Sequence, residues 1–237
     1  MPLMSIDAKQ PVERRALRDG VHERILEMLM DDLLAPGDHL SIDGIARELQ
    51  VSPTPVREAF SHLEHTGLVM RTALRGYRVA PALTPTQMGQ LVDAREIVEI
   101  GALERAWDRL DDLIVDLKVA HAHHIRVLAG IEEEGHGLIS GIAAFRKHFE
   151  ADWGFHLTII MHTDNPFIAQ MAEGLGSHVH RLRQSYHQGD SDAHDALEEH
   201  ARVLDAIEAR NLTLARAAML AHLNGVRLRS TGDGSRA

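Results

Sequence analysis

"SIDGIARELQVSPTPVREAFSHLEHTGLV", residues 41–69, holds two short helices and a tight turn, and the fold of the front of the chain follows from it. Ser41 can cap a helix whose apolar face is Ile42, Ile45, Ala46 and Leu49. Ser52 can cap the next, Pro53 suits a first helical position, and Gly67 ends it. Upstream, Val21, Ile25, Leu26, Leu29, Leu33 and Leu34 recur at helical spacing until Pro36-Gly37, which is expected to stop that helix. Downstream, "LVMRTALRGYRVAP" (68–81) alternates around Arg75-Gly76 and predicts a β-hairpin. Helix, helix, tight turn, helix and hairpin in that order make a winged helix-turn-helix, here spanning residues 15–80, with residues 1–15 expected to be loose.

The third helix of such a unit enters the major groove by its N-terminal end. Ser52, Thr54 and Arg57 stand there, where hydroxyls and backbone N–H groups meet phosphates and an arginine can take phosphate or the O6/N7 edge of guanine. The hairpin adds Arg71, Arg75 and Arg78 beside Gly76, a clamp for the adjacent backbone or minor groove. Between residues 52 and 80 four arginines face two acids, a local +2 within a chain of net charge −10. That overall charge excludes a protein that coats nucleic acid nonspecifically, while the local asymmetry suits double-stranded operator DNA.

The block "IARELQVSPTPVREAFSHLEHTGLV…RGYRVAP" resembles the winged helix-turn-helix of GntR-type bacterial transcription regulators. In that family the start of the third helix and the wing tip touch DNA, and Ser52, Thr54, Arg57 and Gly76 match those positions. One departure is Pro53, where many relatives carry Arg.

"PALTPT" contains a linker at 81–85. From 86 to 229 the periodicity is helical throughout, six helices on short loops, which predicts an antiparallel bundle; 230–237 is small and polar and expected to be disordered. The fold class is thus mostly α. No apolar run approaches the roughly 20 residues that span a bilayer, so no membrane partner is expected. The absence of a signal-peptide pattern and of cysteine suits a cytoplasmic protein.

With 17 histidines and no cysteine, transition-metal ligands have to be His and carboxylates. Asp152 and His156, in "EADWGFHLTII", lie one helical turn apart within an apolar stripe. His200 and His222 each have apolar neighbours at helical spacing on the fifth and sixth helices. Three His and one carboxylate from three helices could share a divalent ion: Zn, Ni, Mn or Fe. Spacing leaves open that each His simply hydrogen-bonds a neighbour, or that His148, on the same stripe, belongs to a different trio. His121, His123 and His124 point in different directions and are expected to be solvated.

Residues 86–229 look like the FCD domain, the helical effector domain of the FadR subgroup of these regulators. Its markers appear as Asp152, Phe155-His156, Asn165-Pro166, Glu199-His200, Asn211 and His222-Leu223. In metal-binding members the Asp and three His are the ligands, which the resemblance carries onto Asp152, His156, His200 and His222. Arg95 matches an arginine that often faces the effector cavity, where it would pair with a carboxylate; the alternative is a surface ion pair with Glu99. The expected function is a homodimeric DNA-binding regulator, most often a repressor in this family, controlled by a small organic acid bound near a divalent metal. A metal-responsive regulator without an organic effector is the second expectation. A helical-bundle metalloenzyme is the third, and a DNA-reading head has no use in one; the chain is expected not to be an enzyme.

Overall fold

The computed structural model describes residues 10–30, 33–65, 67–72, 76–133, 142–184 and 190–231. It divides into one unit up to Pro81 and a second from Ala82 onward. In the first, helix α1 (Gln10–Met30) buries Val21, Ile25, Met28 and Leu29. It begins earlier than expected, so residues 10–15 are helical. Its described span also ends before Pro36-Gly37, and those residues instead turn the chain into a strand. There Asp38 Oδ2 accepts from Ala35 N at 2.8 Å, and Gly37 takes φ +89°.

Helix α2 (Ile42–Glu48) is capped by Ser41, whose Oγ accepts from Gly44 N at 3.1 Å. Gln50 adopts φ +55°, and Val51 N returns to Ala46 O at 2.9 Å, closing the tight turn into α3 (Pro53–His65). That helix buries Val56, Ala59, Phe60 and Leu63, spaced three and four apart. These pack with Val21, Ile25, Ile45 and Leu68 as one core.

The wing has one more strand than the sequence predicts. Strands β1 (His39–Leu40), β2 (Val69–Thr72) and β3 (Gly76–Val79) form an antiparallel sheet in the order β1-β3-β2. Leu40 is buried opposite Tyr77, but a two-residue strand is too short to show an alternating pattern. Gly76 opens β3 at φ +81°, a conformation most side chains resist.

The second unit is built of helices, with no strand among its described residues. Helix α4 (Pro85–Ala106) starts in a capping box, with Thr84 and Gln87 satisfying each other's backbone N–H groups and Pro85 just inside. A single 3₁₀ turn, Trp107–Arg109, leads to α5 (Leu110–Glu133). The expected break at 135–137 lies outside the described residues. Then come α6 (Ile142–Met161), α7 (Pro166–Gln184), α8 (Asp190–Glu208) and α9 (Leu212–Thr231). Asn165 Oδ1 accepts from Phe167 N and Asn211 Oδ1 from Leu214 N, both at 3.0 Å, capping α7 and α9. The last helix runs two residues into the expected tail.

Among the described residues two large apolar clusters and a small one, Leu128 and Ala193 with Leu197, hold this unit. The larger draws Val92, Leu103, Leu117, Phe155, Ile159, Val203, Ile207, Met219 and Leu223 from α4, α5, α6, α8 and α9. The second packs Met88, Trp153, Ile160 and Val179 from α4, α6 and α7. A Cβ at Gly176 would fall 2.6 Å from Trp153 Nε1, so the missing side chain is what lets the indole lie against α7. No described helix is long and apolar enough to cross a membrane.

Candidate functional site

Ser52, Thr54 and Arg57 are exposed at the N-terminal end of α3, and Arg71 and Gly76 are exposed on the wing. Arg75 lies outside the described residues. Arg78 departs from expectation. It is half-buried and its Nη1 donates to Gly37 O at 2.9 Å, tying β3 to the turn before β1 rather than reaching outward.

In the helical unit the stripes of apolar residues on α4, α5, α6, α8 and α9 are interrupted by polar side chains that point inward together. Arg95 and Glu99 on α4, His124 on α5, His148, Asp152 and His156 on α6, His200 on α8 and His222 on α9 are all buried. A polar group so enclosed has to find a partner, at a cost of ~1–3 kcal/mol if it does not.

His156, His200 and His222 converge. One ring nitrogen from each lies within 4.8 Å of the others. The Nε2 atoms of His156 and His200 are 3.1 Å apart. Asp152 Oδ1 lies 3.9 Å from His200 Nε2, and Asp152 also groups with His124 and His148. The four residues picked out in the sequence are therefore in one place, with Asp152 between two trios.

The outer partners orient these rings. Glu99 Oε2 lies 2.7 Å from His156 Nδ1 and its Oε1 accepts from Arg95 Nε at 2.6 Å. Arg95 also donates from Nη2 to His156 Nε2 at 3.3 Å. Because a guanidinium only donates, Nε2 of His156 carries the lone pair and Nδ1 the proton. Glu199 does the same for His222, with Oε2 2.8 Å from Nδ1, and is itself held by Arg229 at 2.9 and 3.0 Å. Nε2 of His222 is buried without a hydrogen-bond partner. His200 lies flat on Phe155, ring centroids 4.1 Å apart and planes 5° apart. Carboxylates behind the outer nitrogens of two imidazoles, with lone pairs turned inward, form the arrangement that orients metal-ligating histidines.

Protonation favours the same role. Burial pushes His200 well below its ordinary range, and neighbouring His222 adds to this more than Asp152 offsets. Burial likewise lowers His222 to about 4, against the opposing effect of its hydrogen bond to Glu199. Burial alone would raise Glu99, but Arg95 and His156 bring it down to about 2. Burial would also raise Glu199, yet its hydrogen bonds from His222 and Arg229 take it to about 2. Both imidazoles are thus neutral and both supporting carboxylates ionised near neutral pH. The residues fit a divalent cation bound by nitrogen and oxygen.

Two expectations change. The pair of Arg95 with Glu99 is made, but it is buried, at 1% and 2% side-chain exposure, so it is not the surface pair. His124 was expected to be solvated and is enclosed. On α5 it continues the inward series Leu113, Leu117, His124, Leu128, Ile131, and that register was the signal available in the sequence. Glu99 and Glu199 were not singled out as supporting groups. Each is a carboxylate on a stripe of core residues, four after Arg95 and one before His200.

Comparison with known proteins supplies the rest. The family model described as the FCD domain matches residues 90–225, and the one described as bacterial regulatory proteins, gntR family, matches residues 17–79. The HTH-type transcriptional regulator LutR of Bacillus subtilis is 26% identical over 84% of this chain and 94% of its own. The HTH-type transcriptional repressor RspR of Escherichia coli is 25% identical over 87% of both. A transcriptional regulator GntR from Rhodococcus sp. RHA1 shares the fold, with a TM-score of 0.68 at 19% identity over 92% of this chain and 98% of that one.

Proposed function

Because this chain belongs to the gntR family of bacterial regulatory proteins and carries an FCD domain, we propose that its binding to operator DNA is controlled by a small carboxylate bound beside a divalent ion in the helical unit. The DNA-reading unit and the regulatory class follow from the family, and the chain is not an enzyme. The assignments to individual residues are this proposal's own. Ser52, Thr54, Arg57, Arg71, Arg75 and Gly76 contact operator DNA, and Asp152, His156, His200 and His222 hold the ion, which is Zn, Ni, Mn or Fe.

The observation that carries the proposal is the convergence of three buried imidazoles, two of which, His156 and His222, are oriented by Glu99 and Glu199. The bound ion would supply positive charge and open positions for carboxylate oxygens. Arg95 stands next to the ligand nitrogens, 3.3 Å from His156 Nε2, so an anion at the ion would meet its guanidinium as well. Glu99 keeps that guanidinium in place from behind.

Control requires that the carboxylate bind the DNA-competent and DNA-incompetent states with different affinity. A coupling of ~1–3 kcal/mol changes operator affinity by roughly 5–150-fold. We assign the direction to repression, in line with the relative described as a repressor, and the reading species to a homodimer on a pseudo-palindrome.

The test is selection of bound DNA from a random pool, followed by titration of that site with the metal-loaded chain and a panel of small organic acids. An acid that shifts affinity only when metal is present supports the proposal. Affinity that responds to metal alone would establish the second reading, metal-responsive regulation. No response to either would overturn both.

A further inference from the structure

The site described above uses three imidazoles and one carboxylate, which leaves two enclosed histidines of the same interior without a role. His124 on α5 and His148 on α6 are both buried, with Nε2 of the first 3.2 Å from Nδ1 of the second. Their rings lie 5.1 Å apart, and one nitrogen from each sits with a carboxylate oxygen of Asp152 inside a 4.8 Å limit. We propose that His124, His148 and Asp152 hold a second divalent cation next to the first, with the two oxygens of Asp152 shared between the ions.

The two trios are contiguous. Asp152 Oδ1 is 3.9 Å from His200 Nε2, and the ring of His124 is 5.5 Å from that of His200. A carboxylate has two oxygens and can bridge two cations, and paired metal sites place their ions ~3.5–4 Å apart. Three evenly spaced ligands of one ion bound at ~2.1 Å stand at most ~3.6 Å from one another. The trio, whose atoms lie within 4.8 Å of each other, therefore has to close by up to about an ångström on binding.

The donor types agree with the geometry. Two imidazoles and a carboxylate form a nitrogen and oxygen set suited to Zn, Mn, Fe or Ni. Asp152 stands among imidazoles from α5, α6 and α8. Two cations on one shared carboxylate repel each other, so the second binds more weakly than the first.

This inference rests on the assignment of His156, His200 and His222 to the first ion, and the test separates the two. Crystals of the full chain, stripped with chelator and soaked in excess Mn(II), are measured for anomalous scattering. The same is done for His148→Gln and His222→Gln. Equilibrium dialysis against Mn(II) counts ions in solution, with circular dichroism reporting the fold of each variant. The expected result is two peaks roughly 4 Å apart, and loss of one ion per chain in each variant. One peak at His156, His200 and His222, insensitive to His148→Gln, overturns the second ion and leaves the first. One peak at His124, His148 and Asp152 alone overturns the assignment of His156, His200 and His222 and leaves this trio as a cation site, and no peak overturns both.

Discussion

His156 and His200 face each other through their Nε2 atoms at 3.1 Å. Two nitrogens at that distance share at most one proton, and His156 Nε2 already accepts from Arg95. A third imidazole, His222, brings its unpartnered Nε2 to the same place. A cation satisfies all three at once, which no pattern of hydrogen bonds among them does.

His200→Ala is therefore expected to abolish binding of the first ion. Metal that binds only the folded state, at ~1,000 times its Kd, stabilises by ~4 kcal/mol. In a chain of this size that corresponds to a fall in Tm on the order of 10 °C. Metal analysis and a melting curve decide the matter. Unchanged metal content would sink the assignment.

Gly225→Ala tests the supporting groups without touching a ligand. An added Cβ would lie 2.6 Å from Glu199 Oε1 and 2.8 Å from Arg229 Nη1, displacing the pair behind His222. Alanine improves helix propensity by up to ~1 kcal/mol, so stability alone predicts a gain. Loss of the outer partner predicts instead a 10–100-fold fall in metal affinity. Competition against a chromogenic chelator reads the difference, and affinity equal to wild type would count against a role for Glu199.

Arg57→Ala and Arg78→Ala should behave differently. Arg57 is exposed at the start of α3, so its loss should weaken operator binding and lower the log–log salt slope by about 1. Arg78 is tied to Gly37 O, so its loss should lower stability while the salt slope is kept. Titrations at several salt concentrations distinguish them. A change of slope for Arg78→Ala, or none for Arg57→Ala, would reverse the assignment.

The metal-free chain should lose stability in acid in two stages. His200 and His222 are depressed in the folded state, so the unfolded chain takes up protons first. The contribution of His222 is fully present above the unfolded value of ~6.5 and declines as pH falls toward about 4, and that of His200 is lost in the same direction. Glu99 and Glu199, lowered to about 2, add a second loss between the usual carboxylate value and that point. Denaturant unfolding of chelator-treated protein from pH 8 downward is the measurement. Stability that stays flat from pH 7 to 5 would contradict enclosure of the two histidines.

The sequence by itself determined the order of the helices and of the wing hairpin, and the place of the reading helix. Periods of 3.6 and 2, together with Ser41, Pro53 and Gly67, are local signals, and local sterics and hydrogen bonding fix what they specify. It also supplied Asp152, His156, His200 and His222, through apolar neighbours and the family's motif. Tertiary structure decided the rest. Periodicity says which face of a helix turns inward but not which residues of other helices meet it there. Only the packing of α4, α6, α8 and α9 places Glu99 behind His156 and Glu199 behind His222. Only the register of α5 against α6 sets His124 on His148. Leu40 becomes a strand because Tyr77 is there to pair with it, and Arg78 is held because the turn at Gly37 brings a carbonyl within reach.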